Sequence, residues 1–193
     1  MISAIVLAAG QSFRMGQPKM MLPWGKTTVI GKVTATLLEA GLDDLHLVVG
    51  GNQKELNEAL RRFQVQFVFN PDFANGEMIS SVQVGIRSLL GNSEAALIVL
   101  GDQPQLEVSV VQTIIEIYIT NRSKIIVPSY QMHRGHPCLI DKSLWGQLLD
   151  LKPPHTLRDY LNQYQDDILY VNVDTPSVIQ DLDTPDDYKK FYP

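Results

Sequence analysis

Arg14 and Lys19 stand in the stretch Ala8-Ala9-Gly10-Gln11-Ser12-Phe13-Arg14-Met15-Gly16-Gln17-Pro18-Lys19, which follows directly on the apolar run Ile2 to Leu7. A short β-branched run of that kind suits an interior parallel strand. Ala8, Ala9 and Gly10 carry no side chains that would keep backbone amides away from an anion, and the two cations supply charge that glycine cannot. Together these residues suit a polyphosphate held at the end of a strand. Taken alone they also describe a plain strand-to-loop connection with two solvated cations.

Acidic residues elsewhere weigh against the plainer reading. Asp102 lies in Gly101-Asp102-Gln103-Pro104, where the most hydrophobic run of the chain, Ala95 to Leu100, comes to an end. A carboxylate there projects into a crevice, a position for a hard cation such as Mg2+, which keeps waters and substrate phosphates as its other ligands. Asp183 is the candidate partner. It precedes Thr184-Pro185, a helix start whose N-terminus favours negative charge. The competing readings are a turn former for Asp102 and an ordinary helix cap for Asp183.

The elements that must position these groups are legible from periodicity. Residues 27 to 40 have helical spacing at Ile30, Val33, Leu37 and Leu38, with Gly41 as the stop. Leu45 to Val49 and Val65 to Phe69 read as strands around a helix that starts at Asn52 with Glu55 as a capping pair and buries Leu56, Ala59, Leu60 and Phe63. Ser80 and Gln83 resemble a second capping box, for a helix burying Val82, Ile86, Leu89 and Leu90. A helix carrying Val108, Val111, Ile115 and Tyr118 and a strand at Lys124 to Val127 follow. Strict alternation implies an α/β fold: a three-layer, Rossmann-like, mostly parallel sheet with helices on both faces and ligands at the carboxyl ends of the strands.

Beyond residue 127 the pattern is less regular. Tyr130 to Ile140 reads as a hairpin with Arg134-Gly135-His136 near its bend, then a helix from about 141 to 149, and a short one capped by Thr156 beyond Pro153-Pro154. Residues 168 to 173 and 178 to 182 read as final strands, and Thr184 caps a last helix.

With 193 residues, 45% hydrophobic and 19% charged, the chain suits a single domain with a full core. Residues 1–104 would form mainly the nucleotide half and 105–193 mainly the acceptor half. A net charge of −5 with scattered basic residues excludes a large nucleic-acid footprint. The single cysteine, Cys138, allows no internal disulfide, and no Cys/His cluster has zinc spacing. The apolar start is too short for a membrane span and lacks a signal peptide's basic beginning. A cytoplasmic location is the expectation.

Four stretches carry a family resemblance: LAAGQSFRMGQPK at 7–19, NPDFANGEMISSVQVGI at 70–86, GDQP at 101–104, and RGHP with DLDTPDDY at 134–137 and 181–188. Together they resemble the molybdenum cofactor cytidylyltransferases, of the molybdopterin nucleotidyltransferase group within the nucleotide-diphospho-sugar transferase fold. That resemblance implies transfer of a nucleotidyl group from a nucleoside triphosphate to the terminal phosphate of molybdopterin, with release of pyrophosphate. It also implies that Leu7, Ala8, Ala9 and Gly10 line the base and ribose, that Arg14 and Lys19 hold the triphosphate, and that Asp102, beside Gly101, binds Mg2+ with Asp183. Asn70 to Ser81 would close over the base, with Gly76 and Ser80 nearest. Arg14, Lys19 and Asp102 form the expected catalytic set.

Guanylyl-transferring relatives usually have Gly-Gly where this chain has Ala9-Gly10, and a methyl at Ala9 narrows the base pocket, so CTP is expected over GTP. Arg134, Gly135, His136 and Pro137 are assigned to the acceptor: Arg134 to its phosphate, Gly135 to a tight approach, His136 to the pterin. A hairpin turn with incidental polar residues is the plainer alternative. Cys138 is read as buried, His46 and His155 as surface or satisfied, Trp24 and Trp145 as packing.

Rival readings are a sugar or polyol phosphate as acceptor, a nicotinamide-dependent oxidoreductase, and a non-catalytic carrier that hands molybdopterin to a client molybdoenzyme. The oxidoreductase is disfavoured because no GxGxxG follows the first strand. No membrane partner is implied.

Overall fold

The computed structural model of the protein describes residues 1–10, 12–74, 77–89, 91 and 93–193. In chain order the elements are β1 (Ile2–Ala8), β2 (Pro23–Trp24), β3 (Thr27–Thr28), α1 (Val29–Glu39), β4 (Leu45–Val49), α2 (Gln53–Leu60), β5 (Gln66–Phe69) and α3 (Met78–Ser88). They continue as β6 (Ala95–Leu100), α4 (Val108–Asn121), β7 (Ile125–Tyr130), β8 (His133–Arg134), β9 (Cys138–Asp141), α5 (Trp145–Asp150), α6 (Leu157–Gln163), β10 (Ile168–Asn172) and α7 (Pro185–Phe191).

The main sheet runs β10-β7-β9-β6-β1-β4-β5, with β8 paired to β7. β1 pairs in parallel with both β4 and β6, while β9 runs antiparallel between β6 and β7. The sheet is therefore mostly parallel, as the alternation implied. β1 is buried from Ser3 onward because both of its faces are covered. Ala4, Val6 and Ala8 pack toward α1, α2 and α4, and Ile5 and Leu7 pack toward α3, α5 and α6. That two-sided burial explains why the run shows no polar alternation.

A third, smaller core decides where the first loop goes. Met15, Leu22, Trp24, Val29 and Leu182 are buried together against Tyr188 and Phe191 of α7. The Trp24 ring lies 6.2 Å from Tyr188 and 5.9 Å from Tyr192, and the Tyr188 hydroxyl donates to the Pro23 carbonyl at 2.6 Å. Trp24 is thus a packing residue. The end of the chain is clamped onto its beginning.

Several local expectations change. The first helix starts at Val29, because Thr27 and Thr28 pair with Pro23 and Trp24 and the Thr28 hydroxyl caps Gly31. Asn52 sits at the N-cap of α2 without a side-chain capping bond. α3 begins at Met78, so Ser80 lies inside its first turn and donates back to the Glu77 carbonyl. Gln83 donates to the carbonyls of Leu148 and Leu151 instead of capping, which ties α3 to the end of α5. At Gln83 a tertiary partner outcompetes the local capping pattern. Leu90 falls outside the described residues.

Residues 178–182 form no strand. A single 3-10 turn spans Pro176–Ile179, and the amides of this region bond to loops: Leu182 N–H to the Asp102 carbonyl at 3.1 Å, and Val178 receives the His136 N–H at 2.8 Å. β10 already occupies the sheet edge beside β7, which leaves no ladder there. The hairpin bend lies at Gln131 and Met132, both at positive φ, before Arg134-Gly135-His136. No described helix is long and apolar enough to cross a membrane.

The Arg134 to Pro137 segment is locked against that 3-10 turn. Gly135 N–H donates to the Pro128 carbonyl at 2.8 Å, and a Cβ on Gly135 would stand 2.5 Å from the Val178 carbonyl oxygen. The close approach that glycine permits here is to Val178. Gly135→Ala is expected to lower stability by about 1–3 kcal/mol through overpacking, read as a lower urea midpoint at unchanged slope; a midpoint equal to that of the wild type would show that the turn yields freely.

Candidate active site

Three distant segments meet at the carboxyl ends of β1 and β6. Lys19 opens a single 3-10 turn whose next residue, Met20, is buried beneath it. Asp102 follows β6, where Gly101 N–H donates to the Leu7 carbonyl at 3.0 Å; a Cβ on Gly101 would lie 2.9 Å from that same oxygen. Asp183 precedes α7, whose Thr184 and Asp187 form a reciprocal capping box. The side chains converge.

The Lys19 ammonium donates to Asp102 Oδ2 and, at 3.3 Å, to Asp183 Oδ1. Arg14 Nη2 donates to Asp183 Oδ2 at 2.9 Å. Lys19 and Asp102 are only 12% and 13% exposed, against 72% for Arg14. The inner pair therefore carries the weight: removing one partner of a buried pair costs about 3–5 kcal/mol, whereas an exposed pair contributes roughly 0–1 kcal/mol. Burial by itself would lower the Lys19 pKa. Asp102, and after it Asp183, outweigh that through Coulombic attraction and hydrogen bonding, and hold the ammonium above its ordinary 10.5.

A cavity of about 360 Å³ surrounds this network. Leu7, Ala9, Gly10, Arg14, Lys19, Ser81, Asp102 and Asp183 line it, as do Met20, Phe73, Glu77, Met78 and Asp181. A smaller recess of about 220 Å³ continues past Ala9 and Gly10 to Gly51 and Asn52, with Phe73 as the shared wall. Two larger surface hollows, of about 480 and 490 Å³, are lined by none of Arg14, Lys19, Asp102 and Asp183.

Other expected site residues take different places. Ala8 is fully buried in the core beneath the cavity. Asn70 is buried and donates to the hydroxyls of Ser80 and Ser81 at 3.0 and 2.9 Å, so it holds the start of α3 in place. Gly76 lies outside the described residues. Arg134, Gly135 and His136 line a separate cavity of about 130 Å³ that shares Met78 with the larger one, and Pro137 is buried behind it.

The plainer assignments of the remaining polar residues agree with the structure. The buried His46 ring bonds the Ser88 hydroxyl and Asp44, Trp145 Nε1 donates to the Ile140 carbonyl at 3.1 Å, and burial pushes the Cys138 thiol up to about 12.

Asp181 is the chief residue that sequence reasoning missed. It accepts from Gln103 Nε2 at 2.6 Å, and its pKa is raised, first by burial and then, against the Gln103 bond, by the nearby charges of Asp102 and Asp183. Its spacing two residues from Asp183 on extended chain was the available signal. Among the described residues no closed cage of three metal-ligating side chains forms. The donor set is oxygen from two carboxylates that face one cation, with a third carboxylate beside them. That fits a hard divalent ion whose other ligands are phosphate and water.

A family model, the MobA-like NTP transferase domain, matches residues 4–178. The chain belongs to that family. It is a nucleotidyltransferase-family protein, and its sheet is that of the nucleotide-diphospho-sugar transferase fold. The molybdenum cofactor cytidylyltransferase of Escherichia coli K12 is 30% identical over 97% of this chain and 93% of its own. The nicotine blue oxidoreductase of Paenarthrobacter nicotinovorans is 28% identical over 74% of this chain and 72% of its own. Rv0371c of Mycobacterium tuberculosis H37Rv superposes with a TM-score of 0.86 at 28% identity, covering 99% of this chain and 97% of that one. A second structure of Rv0371c is a complex with manganese, at a TM-score of 0.75 over the same shares of the two chains.

The ammonium of Lys19 in this MobA-like domain gives a pH signature. Because its folded pKa is raised, the stability it contributes is complete below about 10.5 and is lost as pH rises through the higher folded value. In metal-free buffer the urea-midpoint gap between wild type and Lys19→Met should stay constant up to that pH and narrow beyond it. A gap that does not change toward about pH 11 would assign the stabilisation to another group.

Proposed function

We propose that this protein transfers a CMP group from CTP to the terminal phosphate of molybdopterin and releases pyrophosphate, with Mg2+ bound by Asp102 and Asp183. The observation that carries nucleotidyl transfer is the convergence of Arg14 and Lys19 with those two carboxylates in one cavity. The choice of base and acceptor rests on the 30% identity to the cytidylyltransferase over nearly the whole chain, together with the methyl of Ala9 in the cavity wall.

When bound, Mg2+ would offset the charge of the triphosphate and of the departing pyrophosphate. Lys19 and Arg14 exchange their carboxylate partners for phosphate oxygens and keep the chain of phosphates aligned. An oxygen of the acceptor phosphate attacks the α-phosphorus, the bond from that phosphorus to the bridging α–β oxygen breaks, and pyrophosphate leaves with the electron pair. The attacking oxygen is already ionised, so no general base is needed. Leu7, Ala9 and Gly10 border the nucleoside, with Asn70, Ser80 and Ser81 shaping the opposite side and Gly101 keeping the Asp102 turn tight. Arg134, Gly135, His136 and Pro137 form the acceptor side. Residues 1–104 thus carry mainly the nucleotide and 105–193 mainly the acceptor, with Asp183 crossing over.

Lys19→Ala and Asp102→Ala are each expected to lose at least roughly 100-fold in turnover, the scale of one aimed charge, while remaining folded by circular dichroism. Wild-type turnover in either variant would remove that residue from the catalytic set. Pyrophosphate release with Mg2+ and molybdopterin should favour CTP over GTP, ATP and UTP, with the cytidylylated product identified by mass. A preference for GTP would overturn the base assignment, transfer to a sugar phosphate in place of molybdopterin would overturn the acceptor, and nicotinamide oxidation without pyrophosphate would overturn the class of reaction.

A further inference from the structure

Arg134 is fixed before any ligand arrives. Its Nε donates to the Tyr170 hydroxyl at 2.7 Å, Nη1 donates to Asn162 Oδ1 at 2.6 Å, and the guanidinium carbon lies 5.6 Å from the Tyr170 ring centroid. A second guanidinium, that of Arg158, lines the same small cavity from α6, whose start is set by the Thr156–Asp159 capping box. Among the described residues Arg158 makes no side-chain hydrogen bond or ion pair. In a chain of net charge −5, two arginines whose cavity has no carboxylate among its described lining residues mark a place for an anion.

The rest of that cavity is not the lining of a bare phosphate site. Val127, Cys138, Leu157 and Leu161 give it an apolar surface. His136 adds a ring whose buried Nδ1 has no hydrogen-bond partner among the described residues, and burial lowers the pKa of this ring. The combination suits a ligand with a flat, partly polar body and a negative group. Met78 lines this cavity and the nucleotide cavity, so one side chain borders both compartments.

We infer that Arg158 is a specificity residue for the acceptor, closing with Arg134 on its anionic group beside Met78, which borders both the acceptor and the nucleotide compartments. This rests on the two-substrate reading above. Arginine bonds to a phosphate by charge-assisted hydrogen bonds, so losing one such contact should weaken acceptor binding by about 10- to 100-fold.

The test is calorimetric titration of wild type, Arg158→Gln and Arg158→Lys with molybdopterin, with glucosamine 1-phosphate and, separately, with Mg-CTP. The expected result is a 10- to 100-fold rise in the acceptor Kd for Arg158→Gln, partial recovery in Arg158→Lys, and an unchanged Kd for CTP. Arg158→Gln binding the acceptor as wild type does, or losing acceptor and CTP alike, would overturn the role. Binding of glucosamine 1-phosphate in place of molybdopterin would defeat the proposed acceptor, and the same Arg158 comparison made on the sugar phosphate would still decide this inference. Wild type binding neither compound overturns both.

Discussion

One ammonium between two carboxylates organises the site. Lys19, Asp102 and Asp183 come from the start, middle and end of the chain, and the charges of Lys19 and Asp102 meet where little solvent screens them, with the more exposed Asp183 beside them. Such a contact is tolerable only because each member compensates another; an unpaired charge at the same depth would be costly. The same balance explains how the site can receive a ligand. Under the proposed function a divalent cation would satisfy the carboxylates and a polyphosphate the cations, so an exchange of partners would leave no buried charge alone.

The apolar scaffold brings these charges into reach. β1 and β6 are adjacent parallel strands and end together, which places the small-residue turn and the Asp102 turn on one edge. Asp183 needs a separate device. The cluster around Trp24 and Leu182 presses α7 onto the first loop, and Gln103 ties the Asp102 turn to Asp181. Loss of that packing would release Asp183 without touching a charged residue.

The expected parallel sheet, its helices and the turns that carry Arg14, Lys19, Asp102 and Asp183 were legible because buried strands and small-residue turns leave local marks. At Ser80 and Gln83 the capping pattern was present, yet their polar atoms found the Glu77 carbonyl and the end of α5 instead. Residues 178–182 read as a strand, but β10 already holds the edge beside β7. Asp181 was overlooked because only its position against Gln103 and Asp102 distinguishes it from a solvated aspartate.

From sequence alone came the class of sheet, the two acidic turns and the cationic loop, since hydrophobic periodicity and glycine or proline punctuation are local properties. The tertiary structure alone decided that Lys19 lies between Asp102 and Asp183, that Asn70 braces α3, and that Arg158 shares a cavity with Arg134. Those facts join residues tens to more than a hundred positions apart, and such joins are set by which faces pack together, a quantity no local window of sequence contains.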